Sequence, residues 1–237
     1  MLLKRLIEAP SGSIAKTVLL PGDPLRTKYF AENFLDSPVC YNKSRGLLGY
    51  TGFYHGVRVS IQTSGMGTTS MSECVTQLVE EHGCRNFIRV GSCASNDRAV
   101  HVGDLILSIA NANESNCIGE PLSHYDFVPT GSFDLIRYAY EAAHQHGIPV
   151  HIGVTGCCDL LYREKDRPPL IGSEMEGTGL LVTTSKYPNV KAFVMMTCGA
   201  HAIYEDEVIP AVRRSQSVYD DMVKVALEVA FRLEREE

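Results

Sequence analysis

The chain has 237 residues, enough for one sizeable hydrophobic core, and α/β chains of this length commonly stay undivided, so residues 1–237 read as a single domain. A formal net charge of −6 and no long basic run argue against a nucleic-acid binder, which needs concentrated Lys and Arg to displace counterions. The eight Cys show no C-x-x-C or Cys–His spacing of a structural zinc site, so free thiols in a reducing compartment, and no metal, are expected.

The opening Met1–Pro10 carries charge too early for a membrane span, and its apolar stretch is too short for a secretory signal. A cytoplasmic protein without a membrane partner is expected. Thr17 to Leu20 reads as a short strand stopped by Pro21-Gly22. A helix follows with Pro24 in its first turn and Leu25, Tyr29, Phe30 and Phe34 on its inward face. Cys40 to Tyr41 and Leu47 to Phe53 read as sheet edges, and Val57 to Gln62 as a strand. The loop Thr63 to Thr69 leads to a helix over about Ser70 to His82, closed by Gly83. Phe87 to Val90 is a buried strand, and another starts at Asp104.

The second half repeats this rhythm. Phe133 to His146 reads as a helix, Val150 to Thr155 as a strand, and Glu176 to Lys186 as a helix whose Gly and Thr content requires packing to hold it. Ala192 to Thr197 is a strand, and Ser217 to Glu234 a long terminal helix. Strands alternating with helices predict an α/β protein, a three-layer α/β/α sandwich around a mixed or mostly parallel sheet.

Four segments carry chemistry. Gly22-Asp23-Pro24-Leu25-Arg26 places backbone N–H groups and a guanidinium where a strand feeds a helix, which suits an anion; an ordinary turn with a solvated Arg is the alternative. Gly65-Met66-Gly67 permits close ligand approach but also describes a plain turn. Arg89 and Ser92 flank the end of an apolar strand, where α/β proteins place ligands. A buried Arg89 needs either an anion or a salt bridge. In Glu174-Met175-Glu176, a strand would put both carboxylates on one face, whereas a loop-to-helix junction would turn one into a pocket able to bind vicinal hydroxyls. Two solvated helix-start acids are the alternative.

Taken together, LLPGDPLRTKYFAENFL, RGLLGYTGFYHG, SGMGTTS, FIRVGSC, VGDLIL, SEMEG and YDDMVKVALE resemble the trimer-of-dimers nucleoside phosphorylases, from about Thr17 to Leu233. The likeness is greatest to the bacterial purine enzymes, with some to uridine phosphorylases. It implies a nucleoside phosphorylase-like fold and reversible phosphorolysis of a nucleoside to free base and ribose 1-phosphate. Inorganic phosphate is then the co-substrate and no cofactor is needed. The resemblance implies that Gly22, Arg26, Arg89, Ser92 and a partner subunit's Arg45 bind phosphate. It implies that Met66, Glu174, Met175 and Glu176 surround the ribose, with Glu176 gripping its hydroxyls. A homodimer would complete each site, and three dimers a hexamer.

The chain also departs from that pattern. Ala200 stands where the purine enzymes carry the Asp that protonates the base, and Ser215 where they carry its helping Arg, with Arg213 and Arg214 adjacent. His201 and Arg214 are therefore the candidate catalytic pair, with Glu205 and Asp206 as other carboxylates. Gly156 replaces an aromatic wall of the base pocket, while Gly153-Val154-Thr155 with Asp159 looks closer to uridine phosphorylases. Gly156, Arg163 and Arg167 are the candidate base-binding residues, and the stretch between Arg163 and Ser173 is short. No His precedes His55, although the family often brings one from this region to the sugar. Three readings stay open: a phosphorylase with altered base preference, a weak or inactive nucleoside- or phosphate-binding relative, and a nucleoside hydrolase.

Overall fold

The computed structural model describes residues 5–116, 127–160, 170–204 and 216–236. Their order is β1 (Thr17–Leu20), α1 (Pro24–Phe34), β2 (Asp36–Asn42), β3 (Gly49–Tyr54), β4 (Val57–Gln62), α2 (Thr68–Glu80), β5 (Asn86–Ser95), β6 (Leu105–Asn113), α3 (Phe133–Gln145), β7 (Val150–Cys157), β8 (Ser173–Glu174), α4 (Gly177–Thr184), β9 (Lys191–His201) and α5 (Asp220–Glu236). Among these residues no helix is long and apolar enough to cross a membrane.

One nine-stranded mixed sheet runs β2-β3-β4-β1-β5-β8-β7-β6-β9, and β9 returns to pair with β5. Parallel pairs β4–β1–β5–β9 form its centre, while β2–β3 and β3–β4 are antiparallel. Because β9 also pairs with β6, the second half of the sheet closes on itself.

Each face of the sheet is apolar and covered. Side chains of α1, α3 and α5, among them Phe30, Leu135 and Met222, pack on Ile88, Val90 and Phe193. Those of α2 and α4, among them Met71, Leu78 and Leu180, pack on Phe87, Val194 and Met196. This is the three-layer α/β/α sandwich around a mixed sheet that the alternation of elements predicts.

The local signals act as expected at α1. Asp23 caps it by accepting the Leu25 N–H at 2.8 Å, and Pro24 opens the helix where its missing N–H costs nothing. Leu25, expected on the inward face, is instead 67% exposed, because the packed stripe runs through Thr27, Phe30 and Ala31. The edge strand β2 is longer than the two residues expected, and Ser37 at a φ of 49° and Pro38 disguise it. Cys157 and Cys158 diverge: the first thiol lies 3.6 Å from Thr68 Oγ1, while the second donates to the Glu174 carbonyl at 3.3 Å. No disulfide joins the seven described cysteines.

Candidate active site

Three loops meet at the carboxyl ends of the central parallel strands: the β1–α1 turn, the β4–α2 turn and the β8–α4 junction. Gly22 ends the first. A Cβ on it would lie 3.2 Å from the Gly65 carbonyl oxygen and 4.0 Å from Glu176 Oε1, so a side chain there would have to push the Gly65 turn back by a few tenths of an ångström. Gly65 and Gly67, at φ of 75° and 90°, turn the second loop into α2 in a conformation that disfavours side chains. The Gly67 N–H, at the positive end of α2, donates to Glu176 Oε1 at 2.7 Å.

Arg89 lies at the bottom of this convergence, 3% exposed. Its Nε donates to Glu174 Oε2 at 2.7 Å and its Nη2 to Glu176 Oε2. Nη1 is buried and has no hydrogen-bond partner among the described residues. The side chain runs along β5 over Gly91, where a Cβ would sit 2.7 Å from Nη2 and 2.8 Å from Cζ. Gly91 is thus the residue that lets Arg89 lie flat on the strand.

Glu174 is fully enclosed. Besides Arg89, it accepts the Glu176 N–H at 2.8 Å and the Gly177 N–H at 2.7 Å, binding the first free donors of α4. The two carboxylates therefore do different work. Glu174 ends β8 and holds the junction, while Glu176 begins α4 and turns toward the glycine loops. Neither is the solvated helix-start acid that the sequence allowed.

One guanidinium beside two buried carboxylates leaves an excess negative charge. Burial pushes Glu176 above its ordinary carboxylate value, Arg89 opposes the shift and Glu174 reinforces it. Burial acts to lower Arg89, but the Glu176 and Glu174 charges outweigh it and hold the guanidinium firmly protonated. The resulting cluster offers an unpaired cationic N–H and a carboxylate with spare lone pairs. That combination can accept an anion and a pair of hydroxyl donors side by side.

The remaining candidates are arranged around this centre less tightly. Arg26 is buried in the first turns of α1, with its guanidinium 3.7 Å above the Tyr219 ring. Ser92 lies near the end of β5 and, by strand alternation, faces away from Arg89 toward Gly199. Met175 is half-buried between the two glutamates, whereas Met66 is 79% exposed on the Gly65–Gly67 turn. Arg45 stands exposed on a separate turn between β2 and β3.

His201, expected as a candidate acid, is committed elsewhere. Its Nδ1 accepts the Ile203 and Tyr204 N–H groups at 3.1 and 3.0 Å, so Nε2 carries the proton and donates to the Asp97 carbonyl at 2.9 Å. The ring is 4% exposed and stacks on Tyr204. It fastens the end of β9 and has no nitrogen left to protonate a ligand. Ala200 precedes it, aligned with Ala94 of β5 next to a bulge at Gly199.

Gly156 does not leave the gap expected of a missing aromatic wall. Its absent side chain points at Leu170, whose Cδ1 would lie 2.7 Å from a Cβ there. The ladder pairs Gly156 with Ser173 and Cys157 with Glu174, so Gly156 faces the opposite side of the sheet from Glu174. It borders a cavity of about 200 Å³ lined also by Leu170, Ser173, Cys158, Asn113 and Glu114. Arg163, Arg167, Glu205, Asp206, Arg213, Arg214 and Ser215 lie outside the described residues.

Sequence reasoning missed the two-carboxylate hold on Arg89. Its signal was the pairing of R-V-G, where a glycine two residues on clears the face the arginine crosses, with E-M-E at a strand-to-helix junction.

Comparison with known proteins agrees with this architecture. Residues 16–224 match the family described as the Phosphorylase superfamily. A DeoD-type purine nucleoside phosphorylase from Bacillus cereus is 40% identical over 233 residues, spanning 95% of this chain and 98% of its own length. Its counterpart in Bacillus cytotoxicus is also 40% identical with the same coverage, and one in Bacillus thuringiensis 39%. With the family matched over most of its length, the chain belongs to the phosphorylase superfamily.

Proposed function

We propose that the protein catalyses phosphate-dependent, reversible cleavage of the N-glycosidic bond of a nucleoside, giving free base and ribose 1-phosphate. The observation that carries this reading is Arg89. It is pinned by Glu174 and Glu176 with a buried N–H unpaired, beside the β1–α1 and β4–α2 glycine turns. A water nucleophile would have no use for that cation.

Phosphate binds at Gly22, Arg26 and Arg89, while Ser92, on the other face of β5, stands outside this contact; a second subunit supplies Arg45, so a homodimer completes each site and three dimers form the assembly. Glu176 accepts the ribose hydroxyls, and Met66 and Met175 cover the sugar. Held by guanidinium forks, one phosphate oxygen attacks the anomeric carbon opposite the base, which turns a chance encounter into an oriented displacement. Positive charge grows on the sugar as the glycosidic bond lengthens. The phosphate beneath it and the Glu176 carboxylate oppose that charge.

The bonding electrons leave with the base. Ala200 offers no proton and the His201 Nε2 proton is held by the Asp97 carbonyl, so neither of these described residues assists base departure. The names of the relatives favour a purine, and Ala200 favours an altered preference within that class. The same two residues favour a second reading, a nucleoside- and phosphate-binding relative with slow turnover. Incubating a panel of purine and pyrimidine nucleosides with and without phosphate separates the readings. Base release that requires phosphate supports phosphorolysis, and saturable binding without consumption of any nucleoside supports the second.

A further inference from the structure

Arg45 has a left-handed backbone, φ 53° and ψ 20°, at the exposed tip of the turn joining β2 to β3. A side chain is disfavoured in that region, so its persistence here requires contacts that hold it. Those surroundings centre on Asn42, which is 1% exposed. Its Nδ2 donates to the Leu47 carbonyl at 2.6 Å, and its Oδ1 accepts the Ser44 N–H at 3.3 Å, so one amide grips both sides of Arg45. The same amide donates to the Leu6 carbonyl at 3.2 Å and accepts the Glu8 N–H at 3.0 Å, which docks the N-terminal segment behind the turn. Gln62 adds a donor to the Leu47 carbonyl at 3.3 Å, and Ser44 Oγ donates to the Arg5 carbonyl at 3.3 Å. A buried polar side chain with all its bonds made fixes one geometry, because any other leaves a buried group unpaired.

We propose that Asn42 is a positioning residue for the reaction: it holds residues 43–47 in the strained turn that presents Arg45, already ordered, to the phosphate in the neighbouring subunit's site. The proposal rests on the reading of Arg45 as a phosphate ligand supplied across the dimer. Arginine loses much side-chain freedom when it binds an anion, and a turn fixed beforehand reduces what remains to be ordered.

Steady-state kinetics with phosphate as the varied substrate test this in the wild type, Asn42→Ala, Arg45→Ala and the double variant. Asn42→Ala raises the phosphate KM about tenfold, within the range that a small misplacement of a binding group produces, with a much smaller change in kcat and in nucleoside KM. In the Arg45→Ala background the same change adds nothing, because the residue it positions is gone. An unchanged phosphate KM, or an equal increase in both backgrounds, overturns the proposal. Should Asn42→Ala fail to fold, Gly46→Ala replaces it. Gly46 has a φ of 75° and a Cβ there meets nothing within 4 Å, so the change disturbs the turn alone. It too raises the phosphate KM several-fold, and an unaltered value overturns the proposal. If Arg45→Ala leaves the phosphate KM unchanged, the positioning role falls, while continued phosphate-dependent base release would leave phosphorolysis standing.

Discussion

Arg89 Nε lies 2.7 Å from Glu174 Oε2, and this ion pair joins the central strand β5 to the end of β8, just before α4. Both side chains are sealed from water, so neither charge is tolerable without the other. Through Glu174, the backbone of Glu176 is fixed by a second bond at 2.8 Å. The proposed anion site and the proposed sugar site are therefore one structural unit.

Arg89→Ala is expected to lower kcat/KM for phosphate by about 10²-fold or more, the cost of removing a donor aimed at transition-state charge. Nucleoside binding, measured by equilibrium titration without phosphate, should fall less than phosphate use, because the Gly67 N–H still holds Glu176 Oε1. The variant also leaves two buried carboxylates unpaired, so urea unfolding should show a loss of ~3–5 kcal/mol. Unaltered phosphate dependence in an active variant would reject the anion role.

Gly91→Ala isolates the geometry of the same residue. The added methyl would press on Arg89 Nη2 and Cζ, which Glu174 and Glu176 prevent from yielding freely. A displacement near 1 Å is expected to raise the phosphate KM by about tenfold to a hundredfold. Kinetics and a thermal melt on the same preparation check it, and wild-type phosphate KM in the folded variant counts against the pinned guanidinium.

Glu176 makes stability depend on pH. Its carboxyl is raised above the ordinary 4.5, chiefly by burial, so the folded chain holds this proton more tightly than the unfolded chain does. The stabilisation tied to the proton is complete below about 4.5 and is lost as pH rises through the raised folded value. Urea unfolding across that window should therefore show wild type losing stability relative to Glu176→Gln with increasing pH. Parallel curves for the two proteins contradict it.

His201→Ala removes two acceptor bonds and one donor bond from the end of β9. A loss of ~1–3 kcal/mol is expected for the buried groups left unpaired, with the shape of the pH–rate profile retained. Disappearance of one limb of that profile would restore His201 as an acid.

Base departure supplies a substrate test. With Ala200 in place of an acid, a purine nucleoside methylated at N7 carries its positive charge already and needs no proton there. It should turn over faster than its unmethylated parent. Equal or slower turnover would point to a donor among residues 205–215.

The order of elements was legible because hydrophobic period and turn chemistry agree: β1 and β4 fall on the segments read as strands, and Asp23-Pro24 starts α1 where expected. β8 was not legible, since two residues carry no period and the strand exists only through its pairing with β5 and β7. Arg89 and Glu176 stood out by residue type beside glycine. Their contact, and the part of Glu174 in it, required the fold, because Arg89 is 85 residues from Glu174 in the chain. His201 misled for the same reason: a side chain able to donate a proton says nothing of the partners that occupy its ring.

The central claim is that phosphate, not water, breaks the glycosidic bond, and the sugar product of a reaction run in ¹⁸O-water tests it most directly. Phosphorolysis predicts ribose 1-phosphate in equal amount to the free base, formed only with phosphate present and carrying no solvent oxygen at the anomeric carbon. Free ribose labelled from the solvent, released at the same rate without phosphate, would contradict it.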